Sequence, residues 1–402
     1  MTRNVWEYFS TENIVFGNGA IQNLDRILNR FKAKNVFIIT DQGIVQAGIL
    51  EKVKSKLEES NFNVLVYDET EPVPPISSVI EAYNFAKNEI ATDVIIGLGG
   101  GSSIDLAKIV ALLTEYGGHP KDYLEEGKVP GPIAPLIAIP TTAGTGSEVT
   151  PVAVVTDVEN NLKVGISDNY LRPAVALLDP ELTVGLPPYV TACSGIDALS
   201  HAVEAYTAMD SKYVSDTDEN LLFQGSFTLT DALAEKAIEL IAENLVLAVH
   251  QGNNIEAREK MLLGSLLAGM AFSNAGTALA HAAAYPIGGK VTSPHGEVTG
   301  LLLPYVMRYN SSVAVDKLVK IAQIFDLEED NKSDIDLALA AADRVQDLLI
   351  EIGLPTKLSQ IGIEKSDLQE IAEKTLPARR MIRNNPRVPT EKSLINLLQT
   401  AF

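Results

Sequence analysis

The side chains best suited to metal chemistry lie in the second half of the chain. The sequence contains five histidines, at positions 119, 201, 250, 281 and 295. Asp197 and His201 stand four residues apart in a segment with a helical pattern, so both project from one helix face. His281 and His295 lie at the two ends of a segment in which a turn at residues 286–289 can fold the chain back on itself. One carboxylate with three neutral imidazoles is a donor set that suits Fe(II) or Zn(II).

The remaining candidates in this half are interpreted as structural. A histidine considered alone is more often a hydrogen-bonded core or surface residue than a ligand, and His119 and His250 lie in polar turns typical of a surface. Cys193 is close in sequence to Asp197, but no neighbour is expected to activate its thiol, so we predict a packing role. The grouping of Asp197 with three histidines is what favours a metal site.

A glycine-rich turn is the strongest local signal in the first half. Gly99, Gly100 and Gly101 follow an apolar run and precede Ser102 and a helical pattern that contains Asp105. Glycines let the backbone turn tightly and approach a ligand, and free amides at a helix start attract an anion such as a pyrophosphate. The spacing is not that of the usual Rossmann fingerprint, and a tight strand-to-helix connection without a ligand is the simpler alternative.

A second loop, residues 140–150, is rich in hydroxyl groups, including those of Thr141, Thr142 and Thr145. Hydroxyls and bare backbone suit the ribose or nicotinamide end of a cofactor, although a plain turn rich in Thr and Ser has the same composition. Asp41 directly follows the apolar run 35–40, where a carboxylate can bind an adenosine ribose and repel a 2′-phosphate. This position favours NAD over NADP.

The order of elements predicts two domains. Apolar runs at residues 35–40, 63–67 and 93–98 alternate with amphipathic stretches at 45–59 and 76–88, which indicates βαβ units and a parallel sheet. Beyond residue 182 helical patterns dominate, at residues 230–244, 255–272, 333–352 and 365–373. A polar run at 210–219 predicts an exposed loop. Because Gly185, Pro187 and Pro188 end the last α/β element, we predict an α/β domain over residues 1–186 and a helical domain over residues 187–402.

Composition excludes several classes of function. The 402 residues carry a formal charge of −20, which would repel phosphate backbones and anionic lipid, so we expect no nucleic-acid partner. One cysteine cannot form an internal disulfide, which indicates a reducing compartment. The charged N-terminal residues do not resemble a signal peptide, and we predict a cytoplasmic protein.

One segment, residues 261–289, contains no Asp, Glu, Lys or Arg and is long enough to span a bilayer. It is rich in Gly and Ala and includes Asn274, His281 and Pro286, which make a poor lipid-facing helix. We predict a buried core helix followed by a loop, and no membrane association.

The residues that carry these signals also resemble a known family, the iron-containing (group III) alcohol dehydrogenases. The family's first signature is matched at every spacing by Asp179, Pro187, Ala192, Ser194, Asp197, Ala198, Leu199 and Glu204. The second is matched by His281, Ala284, Gly288, Pro294, His295 and Gly296. The glycine-rich and hydroxyl-rich loops are similar to the family's cofactor-binding segments, and the tail Asn385-Pro-Arg387 is also similar, so the resemblance covers essentially the whole chain.

The resemblance implies a Rossmann-like α/β dinucleotide-binding domain and an all-α C-terminal domain, an architecture like that of dehydroquinate synthase. The implied metal ligands are Asp197, His201, His281 and His295, for Fe(II) or alternatively Zn(II). The implied reaction is reversible hydride transfer between NAD(H) and a short alcohol or diol, or its aldehyde or ketone, with the ion as a Lewis acid on the substrate oxygen. Relatives are commonly homodimers or larger homo-oligomers.

The same resemblance implies which residues of the first domain contact each part of the cofactor. It implies that the pyrophosphate lies on Gly99, Gly100, Gly101 and Ser102, with Asp105 in the same segment. It also implies that Asp41 faces the adenosine ribose and that Thr141, Thr142 and Thr145 line the cofactor.

One position departs from the family pattern. Many members carry a second histidine one helical turn after the third ligand, and this chain has Tyr285 there. A phenol can relay a proton, but its pKa near 10 makes it a poorer base at neutral pH. We predict a catalytic role for the Tyr285 hydroxyl, with water or the cofactor ribose as other routes for the proton, and a differently shaped substrate pocket.

Other functions stay open at this point. The loop before Phe223 resembles that of hydroxyacid–oxoacid transhydrogenases, and other reductases share the architecture. A non-catalytic protein that binds metal and nucleotide is a third alternative, against which the complete ligand set argues. The sequence specifies neither the substrate nor the oligomeric state.

Overall fold

The computed structural model describes residues 3–159, 162–214, 221–327 and 332–402, and the predicted loop at 210–219 therefore lies partly outside the described residues. Contacts divide the chain into two compact units. One is Phe9–Gly185; the other is Leu186–Phe402 together with the segment that precedes Phe9.

The first unit is built on a parallel sheet whose central strands are apolar and buried on both faces. The strands of the unit are β1 (Asn13–Phe16), β2 (Asn35–Ile39), β3 (Asn63–Tyr67), β4 (Val94–Gly99), β5 (Glu125–Glu126), β6 (Leu136–Pro140), β7 (Val152–Asp157), β8 (Leu162–Ser167) and β9 (Val175–Leu178). Six form the parallel sheet in the order β1-β9-β6-β4-β2-β3, and β5, β8 and β7 form a second, smaller sheet. The helices are α1 (Leu24–Arg30), α2 (Gln42–Gln46), α3 (Ile49–Glu59), α4 (Ile76–Glu89) and α5 (Gly101–Tyr116).

Helices cover both faces of the parallel sheet because successive side chains of a strand point in opposite directions. Val36 and Ile38 of β2 pack into a core with side chains of α1 and α3. Phe37 and Ile39 pack into the other core, with side chains of α4 and α5. The unit is therefore a doubly wound α/β fold, as the alternating pattern predicts.

The predicted strands at 35–40, 63–67 and 93–98 are present with shifts of at most one residue at their ends. The stretch predicted as one helix at 45–59 is instead divided into α2 and α3, because Gly48 adopts φ 73° between them. Strands β1 and β9 and the antiparallel pair β7 and β8 were not predicted from the sequence. β1 and β9 are only four residues long, and half of the β7 residues are only partly buried. Such short or half-exposed strands give a weak signal in the sequence.

All named elements of the second unit are helical. They are α6 (Pro188–Thr207), α7 (Thr228–His250), α8 (Ile255–Ala275), α9 (Leu279–Gly288), α10 (His295–Asn310), α11 (Val315–Ile324), α12 (Asp334–Glu351), α13 (Leu368–Thr375), α14 (Arg379–Asn384) and α15 (Glu391–Ala401), with short 3-10 turns between some of them. This agrees with the predicted fold class.

The uncharged segment 261–289 contains most of α8 and all of α9, most of whose residues are buried. The loop predicted after the core helix was wrong, since α9 occupies most of it. Gly276, at φ 93°, ends α8, and the alanine-rich sequence that follows restarts the helix. Among the described residues no single helix has the length and apolar character needed to cross a bilayer. Only the pair α8 and α9, taken together, is long and apolar enough, and these two helices are bent by 99° relative to one another.

Candidate metal centre and cofactor loops

One face of α6 carries three chemically active side chains. Asp197, His201 and Glu204 follow one another at i, i+4 and i+7, so the helical period places them on the same side. All three are buried, at 4, 6 and 2% exposure. Two carboxylates buried on a helix without Lys or Arg require donors or a positive charge from elsewhere to compensate their lost hydration.

His281 of α9 lies against this face. Ligand atoms of Asp197, His201 and His281 all lie within 4.8 Å of one another. The His281 Nε2 atom is buried, has no hydrogen-bond partner in the protein, and lies 3.7 Å from Asp197 Oδ1. A buried imidazole nitrogen without a partner, next to a carboxylate, is the arrangement that a divalent cation completes. These residues therefore fit the metal that the sequence pattern implies.

The ring of His281 sits in a negative electrostatic environment. Its Nδ1 lies 2.6 Å from Glu204 Oε2. Burial alone lowers the pKa of His281, but the Glu204 and Asp197 carboxylates outweigh it and leave that pKa above its ordinary value. The same carboxylates would favour a bound divalent cation at the free Nε2.

His295, the fourth predicted ligand, lies beside this cluster but outside the group of three. It is the first residue of α10, and its ring centroid is 5.5 Å from that of His281. The close approach of α10 to α6 depends on Gly296, where a Cβ atom would overlap the Cys193 carbonyl oxygen and lie 2.8 Å from the Cβ of Asp197. A glycine at this position thus brings His295 next to the α6 ligands.

The remaining side chains around the cluster orient the ligands. Thr299, one turn after His295, donates a hydrogen bond of 2.8 Å from its hydroxyl to Asp197 Oδ1. The ring of His201 is stacked between those of Phe272 and His281, at centroid distances of 4.1 and 4.5 Å. Tyr285 lies with its ring 5.8 Å from that of His295, on the side of α9 that also carries His281.

In the first unit, the three predicted cofactor segments follow three neighbouring strands. Asp41 follows β2, the glycine-rich turn ends β4, and the hydroxyl-rich loop follows β6. The carboxyl ends of parallel strands meet at one edge of the sheet, and β2 and β4 flank the point where the chain, after β3, crosses to the other side of β2. Ligands of open α/β sheets bind at such a switch point.

Direct contacts join these segments. Ser103 donates a hydrogen bond of 3.2 Å to Asp41 Oδ2, and the backbone amide of Thr141 donates one of 3.0 Å to the carbonyl of Gly99. A Cβ atom at Gly101 would lie 2.9 Å from the Thr145 side chain, so the glycine allows the two loops to approach. Gly99, at φ 147°, adopts a conformation that suits glycine and makes the turn into α5.

The other predicted cofactor residues differ in accessibility. Gly100, Gly101, Ser102, Thr142 and Thr145 are partly exposed, whereas the Thr141 side chain is buried. Asp41 is partly exposed but caps α2, since its Oδ1 accepts a hydrogen bond from the Ile44 amide. The Ser102 hydroxyl accepts one from the Val73 amide.

Asp105 is placed inside the unit instead of at the loop surface. Its Oδ2 accepts a hydrogen bond from the Val154 amide, and its Oδ1 lies 3.7 Å from Lys108 Nζ. Burial raises the pKa of Asp105 and lowers that of Lys108 to about 8. Glu148 is buried nearby, and burial raises its pKa to about 7. Asp105 and Lys108 connect α5 to the hydroxyl-rich loop and to β7.

Three residues with clear structural roles were not predicted as site residues: Glu204, Thr299 and Lys108. Glu204 could have been found, because Asp197 and Glu204 are the only acidic residues of α6 and share a face with His201. Thr299 stands four residues after His295, but a single threonine in a helix carries no signal. Lys108 carries no sequence signal either, because a lysine in a helix is almost always exposed.

His119, His250 and Cys193, which the sequence indicated as structural residues, make contacts of that kind. His119 accepts a hydrogen bond from the Lys121 amide and caps a short 3-10 turn, and His250 is exposed. Cys193 is buried, and burial raises the pKa of its thiol to about 12, which leaves it protonated at neutral pH.

Known proteins resemble this chain over almost its whole length. Residues 11–180 match the family model described as iron-containing alcohol dehydrogenase, and residues 191–402 match the model of the C-terminal part of the Fe-containing alcohol dehydrogenase family. Long-chain-alcohol dehydrogenase 1 of Geobacillus thermodenitrificans is 36% identical over 96% of this chain and 94% of its own length.

Solved structures share the architecture. A 1,3-propanediol oxidoreductase superposes with a TM-score of 0.93 and 34% identity, covering 99% of this chain and all of the other. Sulfoacetaldehyde reductase from Bifidobacterium kashiwanohense, solved in complex with NAD+, superposes with a TM-score of 0.86 and 29% identity, covering 99% of each chain.

Proposed function

The chain belongs to the iron-containing alcohol dehydrogenase family, and from that premise we propose that it catalyses reversible hydride transfer between NAD(H) and a short alcohol or diol. The observation that carries the proposal is the buried group of Asp197, His201 and His281, in which the Nε2 atom of His281 has no protein partner. A structural histidine of the core would find such a partner.

We propose Asp197, His201, His281 and His295 as the ligands of one divalent ion, Fe(II) in the first place and Zn(II) as the alternative. When bound, the ion supplies Lewis-acid polarisation of the substrate oxygen, and NAD supplies the hydride acceptor. The protein holds the ligands in place: Thr299 orients the Asp197 carboxylate, and Glu204 holds the ring of His281. Tyr285 provides a hydroxyl near His295 that can move the substrate proton toward water.

We propose the edge of the sheet after β2, β4 and β6 as the NAD site. In this assignment Gly99, Gly100, Gly101 and Ser102 take the pyrophosphate at the start of α5, whose N-cap residue Gly100 offers no side chain to its amides. Asp41 takes the adenosine ribose and disfavours NADP. Thr141, Thr142 and Thr145 line the remaining cofactor, while Asp105 acts indirectly by holding the loops. The first unit would thus be the NAD-binding domain and the second the metal-binding, catalytic domain.

The names of the relatives include long-chain alcohols, sulfoacetaldehyde and 1,3-propanediol, and the substrate assignment follows the solved structure with the higher TM-score. The similar structures include a 1,3-propanediol oxidoreductase, which supports a short alcohol or diol. We further propose a homodimer or larger homo-oligomer, since β1 stands at the edge of the parallel sheet and can accept a further strand. The single buried cysteine is compatible with a cytoplasmic location.

The test is NADH production from a panel of short alcohols and diols by chelator-stripped protein. The protein is reloaded separately with Fe(II) under anaerobic conditions and with Zn(II). We expect turnover with at least one ion and none without metal. His281→Ala should lose metal-dependent turnover and keep NAD binding, whereas the exposed control His250→Ala should retain both. Equal loss of NAD binding and turnover in His281→Ala would contradict this division of roles. Turnover without release of NADH would indicate the transhydrogenase instead.

A further inference from the structure

α9 begins without a cap of its own. The residue before it is Ala278, whose side chain offers no acceptor to the first amides of the helix. Helices of ten residues depend on such acceptors, because the first four N–H groups have no partner within the helix. The acceptor comes instead from α6, more than seventy positions earlier in the chain.

That acceptor is the side chain of Glu204. Its Oε2 accepts a hydrogen bond of 2.8 Å from the Ala278 amide, and its Oε1 accepts one of 2.6 Å from the Ala280 amide. The same Oε2 lies 2.6 Å from Nδ1 of His281. One buried carboxylate thus holds both the start of α9 and the imidazole ring that α9 carries.

These contacts determine which nitrogen of His281 is free. A carboxylate whose oxygens already accept backbone amides can only accept from the ring, so Nδ1 must carry the proton. In the neutral ring Nε2 is then deprotonated, and this is the atom that lies 3.7 Å from Asp197 without a partner. In this neutral tautomer Nε2 is the nitrogen available to a metal ion.

We propose that Glu204 is a positioning residue that presets the metal centre by fixing both the location and the tautomer of His281. This inference rests on the proposed function, because it takes His281 as a metal ligand. It goes further in assigning the assembly of the centre to one helix: α6 supplies Asp197 and His201 and, through Glu204, clamps the third ligand.

Glu204→Gln is the most informative variant, because it keeps the shape of the side chain and replaces one acceptor oxygen by an NH2 donor. If the amide oxygen stays near His281, the NH2 group faces the Ala280 amide, donor against donor. If the side chain is reversed, the NH2 group faces Nδ1, which must then accept, and the proton moves to Nε2. Either arrangement disturbs His281. Thr207→Val is the matched control, since it removes a buried hydroxyl from the same helix, where it bonds only to the Val203 carbonyl.

The experiment measures binding of Co(II) and Zn(II), each alone, to the metal-free full chain, together with the Co(II) absorption spectrum and the thermal unfolding of the metal-free protein. We expect Glu204→Gln to weaken metal binding by about 10- to 100-fold and to change the Co(II) spectrum, with Thr207→Val unchanged in both. A folded Glu204→Gln that binds Co(II) with wild-type affinity and spectrum would overturn the inference. Wild-type protein that binds neither ion would instead refute the proposed metal centre.

A second measurement uses the wild-type chain and so does not depend on how the variant folds. In protein labelled with 15N-histidine and loaded with Zn(II), the NMR signals of His281, assigned by their absence in His281→Asn, report both ring nitrogens. A protonated Nδ1 and a metal-bound Nε2 are expected. A metal-bound Nδ1, or a proton on Nε2, would overturn the proposed role of Glu204.

Discussion

Lys108 of α5 donates from its Nζ atom to both the carbonyl and the hydroxyl of Thr150, each at 3.0 Å. A third bond, of 2.7 Å, reaches the Val152 carbonyl, so all three ammonium protons are used. The side chain is fully buried and lies 3.7 Å from Asp105. This one amine attaches the helix of the glycine-rich turn to the end of the hydroxyl-rich loop.

Replacing Lys108 with Met should therefore destabilise the first unit and loosen its two loops. The change leaves the buried Asp105 without its charge partner and removes the Lys108 donor from two carbonyls, and we expect a loss of about 3 kcal/mol or more in the free energy of unfolding. Urea unfolding measures this, and NADH fluorescence should show weakened cofactor binding. Lys52→Met, which removes an ion pair with Glu181 whose side chains are both 45% exposed, should cost at most about 1 kcal/mol. Equal effects of the two substitutions would contradict the role of Lys108.

Glu148 should make stability depend on pH. Burial raises its pKa from 4.5 to about 7, so between these values the unfolded chain has lost a proton that the folded chain keeps. Its contribution to stability is complete below about pH 4.5 and is lost as the pH rises toward 7, by up to about 3 kcal/mol.

The variant Glu148→Gln keeps a neutral side chain at every pH. Its advantage over the wild type in urea unfolding should be small at pH 5 and grow up to pH 8. The exposed Glu89→Gln should show no such trend. An advantage that is constant with pH would show that Glu148 does not titrate in this range.

Thr299 should affect metal affinity through Asp197. Thr299→Val keeps the side-chain shape but removes the hydrogen bond that orients the Asp197 carboxylate, and we expect metal binding to weaken roughly tenfold. Equilibrium titration with Zn(II) provides the measurement. Thr375→Val is the control, because its buried hydroxyl bonds only to the Ile371 carbonyl of its own helix. Unchanged affinity in Thr299→Val would show that packing alone holds Asp197.

Tyr285 tests how much catalysis depends on a dedicated proton relay. Because a bound Lewis acid already lowers the pKa of an alcohol, Tyr285→Phe should reduce kcat by no more than about tenfold. Tyr285→His should move the pH dependence of kcat to lower pH, since the pKa of imidazole is near 6.5. A loss of a thousandfold or more in Tyr285→Phe would make the phenol an essential acid or base.

Much of this protein could be inferred from local sequence. The buried parallel strands were predictable because their apolar runs are continuous, and the pair Asp197 and His201 because a helical period of 3.6 determines which residues share a face. The glycines at 99–101 predicted a tight turn, and Gly99 does adopt a φ of 147°, which few other residues can. The family resemblance extended these local signals to a fold class and a reaction.

The tertiary structure decided what periodicity cannot encode. Whether α9 meets α6 depends on the break at Gly276 and on Glu204, whose carboxylate lies 74 residues before the Ala278 amide from which it accepts. The approach of α10 to α6 depends in turn on Gly296. The order of the strands, which brings Asp41 beside the glycine-rich turn, depends on a crossover. Asp105 belongs to the glycine-rich motif, and only the tertiary structure shows that its side chain is buried beside Lys108. A sequence specifies each side chain and its local direction, but the partner that it meets is selected by the packing of distant elements, which minimises buried polar groups left without a bond.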